Sequence, residues 1–172
     1  MQNKNHRVTK QGLTFDIRPI EARDNLPISQ IIIDTLTEFG ATGPGYAIQD
    51  KEVESMFEAY QSPRHCYFII HHEDKVVGGG GIGPLEGGES HICELKKMYF
   101  LPMARGLGLG GKMIELCLEQ AHHRGYTACY LETLERMHQA QALYQKFGFR
   151  KLEGTMGNTG HFSCDSTYFR TI

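Results

Sequence analysis

The chain has 172 residues, 40% of them apolar and 22% charged, with a formal net charge of −2 and a pI near 6.5. That length suits one domain with a full hydrophobic core, and the near-neutral balance gives no reason to expect a nucleic acid or an anionic membrane as partner. No apolar run reaches the roughly 20 residues of a membrane helix, and residues 1–12 lack the apolar stretch of a signal peptide.

Residues 1–12 read as a flexible arm ahead of a single domain at 13–172. Thr14 to Ile20 alternates apolar and polar positions and predicts a first strand. Asp24 or Asn25 caps a helix with Pro27 in its first turn, and Ile28, Ile32, Leu36 and Phe39 form its apolar stripe. Gly40 ends it. A Gly/Pro loop over residues 41–50 leads to a short second helix carrying Val53, Met56, Phe57 and Tyr60 on one face. Residues 66–72 and 75–82 predict a hairpin around Glu73-Asp74, its second strand weakened by the glycine run 78–81. Residues 92–101 predict a central strand stopped by Pro102. The clearest helix runs from Leu109 to Arg124, with Ile114, Cys117, Leu118 and Ala121 on one face and Gly125 as its stop. A strand at 128–134 follows, then a helix marked by Ala140, Leu143, Tyr144 and Phe147 and closed by Gly148. Residues 149–152 and 166–172 supply the last strands. Strands in succession early and a strand–helix–strand crossover late imply an α/β (α+β) domain: a mixed, mostly antiparallel central sheet with helices on both faces.

The five cysteines are odd in number and form no CxxC pair. They read as free thiols, mostly buried, in a reducing compartment. Cys164, close to His161 in a polar stretch, is the one with any setting for a catalytic thiol. The histidines form no sequence-local metal signature, so no metal is expected.

Chemistry concentrates at Arg105 to Lys112, RGLGLGGK. Glycines there open a helix soon after a strand, leaving backbone N–H groups and the positive end of the helix dipole to face an anion. A tight helix entry built only for packing would use small residues in the same way. A dinucleotide fingerprint matches Gly106, Gly108 and Gly111, but Pro102 to Arg105 separates them from the strand. A Walker A loop fails because Lys112 is followed by Met113.

Coenzyme A is the remaining anion to weigh, and here two blocks of sequence are specific. Glu94 to Gly110 runs strand, proline turn, then Arg105-x-x-Gly108-x-Gly110; further on comes Ala140-x-x-Leu143-Tyr144-x-x-x-Gly148-Phe149. In order and separation they resemble the GNAT superfamily of acetyl-CoA-dependent N-acetyltransferases. The resemblance implies that Met98, Tyr99 and Phe100 meet the pantetheine arm along the strand edge. It also implies that the main chain of Arg105, Gly106, Leu107, Gly108, Leu109, Gly110 and Gly111 cradles the diphosphate. Family members often carry Asn near the start of the second block, where this chain has Met137.

An amine must be neutral to attack a thioester, and deprotonating a lysine-like amine of pKa ~10.4 at neutral pH costs on the order of 4–5 kcal/mol. Glu94, on an apolar strand, is the candidate base, and Tyr144 resembles the family tyrosine that faces the departing sulfur. Tyr46, His161 and Asp165 are candidate acceptor contacts. The expected reaction is direct acetyl transfer to a primary amine on a small molecule or peptide, in the cytoplasm, by an enzyme that resembles a family often found as homodimers. A non-catalytic acyl-CoA-binding module is the alternative.

Overall fold

The structure, a computed structural model, describes residues 5–172. The alternating segments form eight strands: β1 (His6–Lys10), β2 (Leu13–Pro19), β3 (Cys66–His72), β4 (Lys75–Pro84), β5 (Ile92–Phe100), β6 (Ala128–Thr133), β7 (Arg150–Leu152) and β8 (Ser166–Thr171). They build one sheet in the order β1-β2-β3-β4-β5-β6-β8-β7. Every neighbouring pair is antiparallel except β5 and β6. Four helices, α1 (Asn25–Glu38), α2 (Met56–Ala59), α3 (Leu109–His123) and α4 (His138–Lys146), cover both faces. Ile28, Ile32 and Met56 of α1 and α2 pack with Ile69 on one side. Met113, Cys117 and Tyr144 of α3 and α4 pack with Phe68 and Ile70 on the other, as strand alternation requires.

One segment departs from the sequence reading. His6–Lys10, expected as part of a flexible arm, pairs with β2 from His6↔Ile17 to Lys10↔Leu13, around a turn in which Gln11 and Gly12 both have positive φ. An edge strand with little buried surface has no hydrophobic period to detect. Residues 1–4 of the expected arm lie outside the described residues.

Two features of the central strands shape the site. The first is a bulge. Gly79 opposes Tyr99 and Gly81 opposes Lys96, so Gly80 faces both Lys97 and Met98. Lys97 takes φ +52, and the Tyr67 hydroxyl donates to its carbonyl at 2.7 Å. The glycine run makes room for this contact: a Cβ on Gly79 would fall 2.7 Å from the Tyr67 ring, and one on Gly80 2.9 Å from Met113. The second feature is a splay. The parallel ladder between β5 and β6 stops at Glu94↔Tyr130, although β5 continues to Phe100 and β6 to Thr133. Their upper halves leave a wedge with unpaired strand edges.

Candidate active site

At the wedge's open end β5 gives way to a 3-10 turn at Pro102–Ala104 and then to α3. Gly106 and Gly108 adopt φ +74 and +79, the left-handed conformation that glycine tolerates best, and a Cβ on either would meet nothing within 4 Å. Gly110 and Gly111 answer to packing instead: a Cβ would lie 2.8 Å from Leu143 of α4 and 3.0 Å from Phe147 at its C-terminal end. No backbone acceptor among the described residues takes the N–H groups of residues 106–108, and those of 109–111 belong to the uncapped first turn of α3. Open N–H groups, unobstructed glycines and a helix dipole together fit a diphosphate. Arg105 stands beside this turn with its charge engaged. Its guanidinium forms a bidentate pair with Glu38 at 2.7 and 2.8 Å and donates to the Phe100 carbonyl at 2.8 Å. It therefore braces the turn against α1. Leu107 and Leu109 turn their side chains into the core, as do Met98 and Phe100, while Tyr99 packs toward α1.

On the α1 side of the wedge lies a charged cluster. Glu94 is 5% exposed. Burial pushes its carboxyl up to about 7, with the Glu132 charge adding to the rise and Lys96, His161 and Lys97 opposing it. Because of the bulge, consecutive Lys96 and Lys97 both reach Glu52, at 2.8 and 2.7 Å, and Lys97 also pairs with Asp50. His161 sits between carboxylates: Nε2 lies 2.9 Å from Asp50 Oδ2 and Nδ1 3.1 Å from Glu132 Oε2. Burial disfavours its charge, but these hydrogen bonds prevail and raise it to about 9. Glu132 also accepts from the Tyr130 hydroxyl at 2.7 Å and from Thr159 at 2.8 Å; burial opposes its charge, but the His161 ring first, then these two hydroxyls, hold it below the usual carboxylate range. Glu94, Glu132 and His161 offer metal-ligand atoms within 4.8 Å of one another. Both ring nitrogens of His161 are however turned on carboxylates, an arrangement that suits a doubly protonated ring better than an ion's need for a lone pair.

Tyr144 projects from α4 into the core beside Phe149 and Tyr168, with ring centroids 6.1 and 6.0 Å away. Burial holds its hydroxyl well above the ordinary tyrosine value, so it keeps its proton at neutral pH. Other expectations meet a different setting. Asp165, expected at the acceptor, accepts from the Glu135 backbone N–H at 2.6 Å and braces the entry to α4. Tyr46 packs against the α1 core. Cys164 is a poor nucleophile, because burial pushes its thiol up to about 12. Met137 stands at the N-cap of α4, its sulfur 3.8 Å from the Thr133 hydroxyl. Asp50, Glu52, Lys97 and Glu132 went unmarked as site residues in the sequence. The one local signal was the E-x-K-K run from Glu94 to Lys97, which marks Lys97 alone.

Residues 31–149 match the Acetyltransferase (GNAT) family. The chain is 41% identical over 157 residues to the uncharacterized N-acetyltransferase YjgM of Escherichia coli (strain K12), covering 91% of this chain and 94% of that protein. It is 27% identical over 123 residues to the uncharacterized N-acetyltransferase C1271.07c of Schizosaccharomyces pombe, covering 72% and 74%. Among solved structures, a GNAT-family acetyltransferase from Staphylococcus aureus Mu50 shares the fold with a TM-score of 0.78 at 19% identity, over 91% of this chain and 98% of that one. The Salmonella typhimurium protein yncA, solved with its cofactor acetyl-CoA, does so with a TM-score of 0.71 at 15% identity, over 91% and 93%. With a family match over more than half its length and a relative this similar along almost all of it, the chain belongs to the GNAT family and is an N-acetyltransferase.

Proposed function

We propose that the chain moves the acetyl group of acetyl-CoA directly to a primary amine, with Glu94 as the base and Tyr144 as the proton donor to the departing sulfur. The observation that carries this reading is the Glu94 carboxyl, buried on the strand that lines the wedge, where burial raises its hold on a proton. Acetyl-CoA, when bound, supplies a thioester carbonyl open to attack by nitrogen. The N–H groups of residues 106–111 would hold its diphosphate, and the unpaired edge of β5 at Met98 and Phe100 would pair with its pantetheine arm, as an added strand does. Glu94 takes the proton that the amine must lose as its nitrogen bonds to the carbonyl carbon. Tyr144 gives its proton to the sulfur as the carbon–sulfur bond breaks. The poor nucleophilicity of Cys164 favours direct transfer over an acylated cysteine.

The acceptor is a small-molecule or peptide amine, approaching from the side of the 41–50 and 154–165 loops, where the charged cluster lies. No helix among the described residues is long and apolar enough to cross a membrane. All five cysteines are unpaired, which agrees with a reducing compartment such as the cytoplasm. Incubation with acetyl-CoA and a panel of amines tests the reading. Release of free CoA that depends on the amine, with a product heavier by one acetyl group, supports it. Tight acetyl-CoA binding without turnover across the panel would favour a non-catalytic binding module.

A further inference from the structure

His161 is surrounded by acceptors. Asp50, on its Nε2 side, is kept ionised by Lys97 and by the histidine itself. Glu132, on its Nδ1 side, takes hydrogen bonds from Tyr130 and Thr159 as well as from the ring. Neither carboxylate has a proton to give, so the ring donates from both nitrogens and is an imidazolium. No ring N–H is left for an acceptor substrate, the role its sequence position first suggested. The same Nδ1 edge lies 3.9 Å from Glu94 Oε1. The ring also ties together parts of the chain that are distant in sequence. Asp50 belongs to the Gly/Pro loop, Glu132 to β6 and His161 to the loop before β8. The two loops meet again where Ser163 donates to the Pro44 carbonyl at 2.8 Å and to the Gly45 carbonyl at 3.1 Å.

We propose that Asp50, His161 and Glu132 form a positioning unit for Glu94: a fixed imidazolium that faces the base and pins both loops over the strand that carries it. This rests on the reading of Glu94 as the base. The charged groups facing Glu94 are Lys96 and Lys97 from its own strand, Glu132 from β6 and His161 from the C-terminal loop. The neutral titratable groups facing it are Tyr60, Tyr99, Tyr130 and Cys164, each held protonated by burial. Lys96 and Lys97 are committed to Glu52 and Asp50, and Asp50 and Glu132 in turn hold His161. Removing the imidazolium leaves Glu94 facing Glu132 with only Lys96 and Lys97, already paired with Glu52 and Asp50, to oppose it.

The test is the pH dependence of kcat/KM in the wild type, His161→Gln, His161→Lys and Glu94→Gln, alongside nitrogen NMR of the His161 ring in the wild type. His161→Gln is expected to move the acid limb upward by about one pH unit, as loss of an adjacent opposite charge does, and His161→Lys to bring it part of the way back. The wild-type ring is expected to carry two protons at pH 7 and to titrate near 9. A ring that is neutral at pH 7, or a limb that stays in place in His161→Gln, overturns the positioning unit even if Glu94→Gln is inactive. Wild-type turnover in Glu94→Gln would overturn the base reading itself, and the unit with it. The NMR measurement needs only the wild-type protein, so a variant that fails to fold does not shield the proposal.

Discussion

Burial acts on Glu94 and Tyr144 in the same direction, since each holds its proton more tightly than it would in water. The consequences differ because the two groups start from different values. A carboxyl raised to about 7 becomes a base matched to neutral pH, whereas a phenol raised from 10 is simply never ionised there and remains a donor. Thiolates of ordinary pKa near 8.5 leave readily, so the donor matters less than the base. Tyr144→Phe is expected to lower kcat roughly 10- to 100-fold, at or below the lower end of the range for general acids, with acetyl-CoA affinity unchanged. Rapid-quench measurement of the transfer step together with calorimetric titration of acetyl-CoA checks this; a loss of affinity equal to the loss of rate would mean that Tyr144 binds rather than donates.

The glycine turn and the bulge are two elements that border the site. At the turn, Gly108 has room for a methyl group but not the backbone for one: at φ +79 an L-residue costs about 1–2 kcal/mol. Gly108→Ala is expected to weaken acetyl-CoA binding about 5- to 30-fold, which is that cost expressed as an equilibrium constant, and to leave the melting temperature nearly unchanged if the turn relaxes. Titration calorimetry and a thermal melt read the two effects separately. At the bulge, Tyr67→Phe removes the buried donor to the Lys97 carbonyl and is expected to cost about 1–3 kcal/mol in urea denaturation. Part of the effect should also appear in kcat, because the bulge aims Lys97 at Asp50 and Glu52. The turn was legible in the sequence because strand end, proline, glycines and helix start fall within about a dozen residues, and Glu94 because its apolar strand is local too. The charged cluster was not. Lys97 and Asp50 are 47 residues apart, His161 and Asp50 111, and Arg105 and Glu38 67, and no pattern along the chain announces such meetings. The pairing of Arg105 with Glu38 and of Asp165 with the Glu135 N–H went unseen for the same reason, since each residue's charge was visible and its partner was not.

At the scale of the whole molecule, the site's ionisation is linked to folding stability. Asp24, Asp50, Glu52 and Glu132 are held below their ordinary values, so the stability they lend is present above about pH 4.5 and lost as the pH falls through their folded values. Glu94 and His161 act in the opposite sense. Glu94 favours the folded state fully below its ordinary value of 4.5, and that contribution is lost as the pH rises through about 7. His161 does so below 6.5, with the loss running through about 9. Stability by urea denaturation is therefore expected to peak at about pH 5 and to decline toward pH 9. Glu94→Gln should remove the part of the decline between 4.5 and 7, on the order of 3 kcal/mol. A wild-type minus Glu94→Gln difference that stays flat or rises over that interval would show that the carboxyl is not held up by burial.

The most direct measurement is the pH dependence of kcat/KM for an accepted amine of high pKa, in the wild type and in Glu94→Gln. If the protein binds the ammonium form and Glu94 removes its proton, the wild-type value rises to a plateau with a midpoint near 7, and Glu94→Gln falls by roughly 10²- to 10⁴-fold. A wild-type profile that keeps climbing toward the pKa of the amine itself, followed equally by Glu94→Gln, would contradict it.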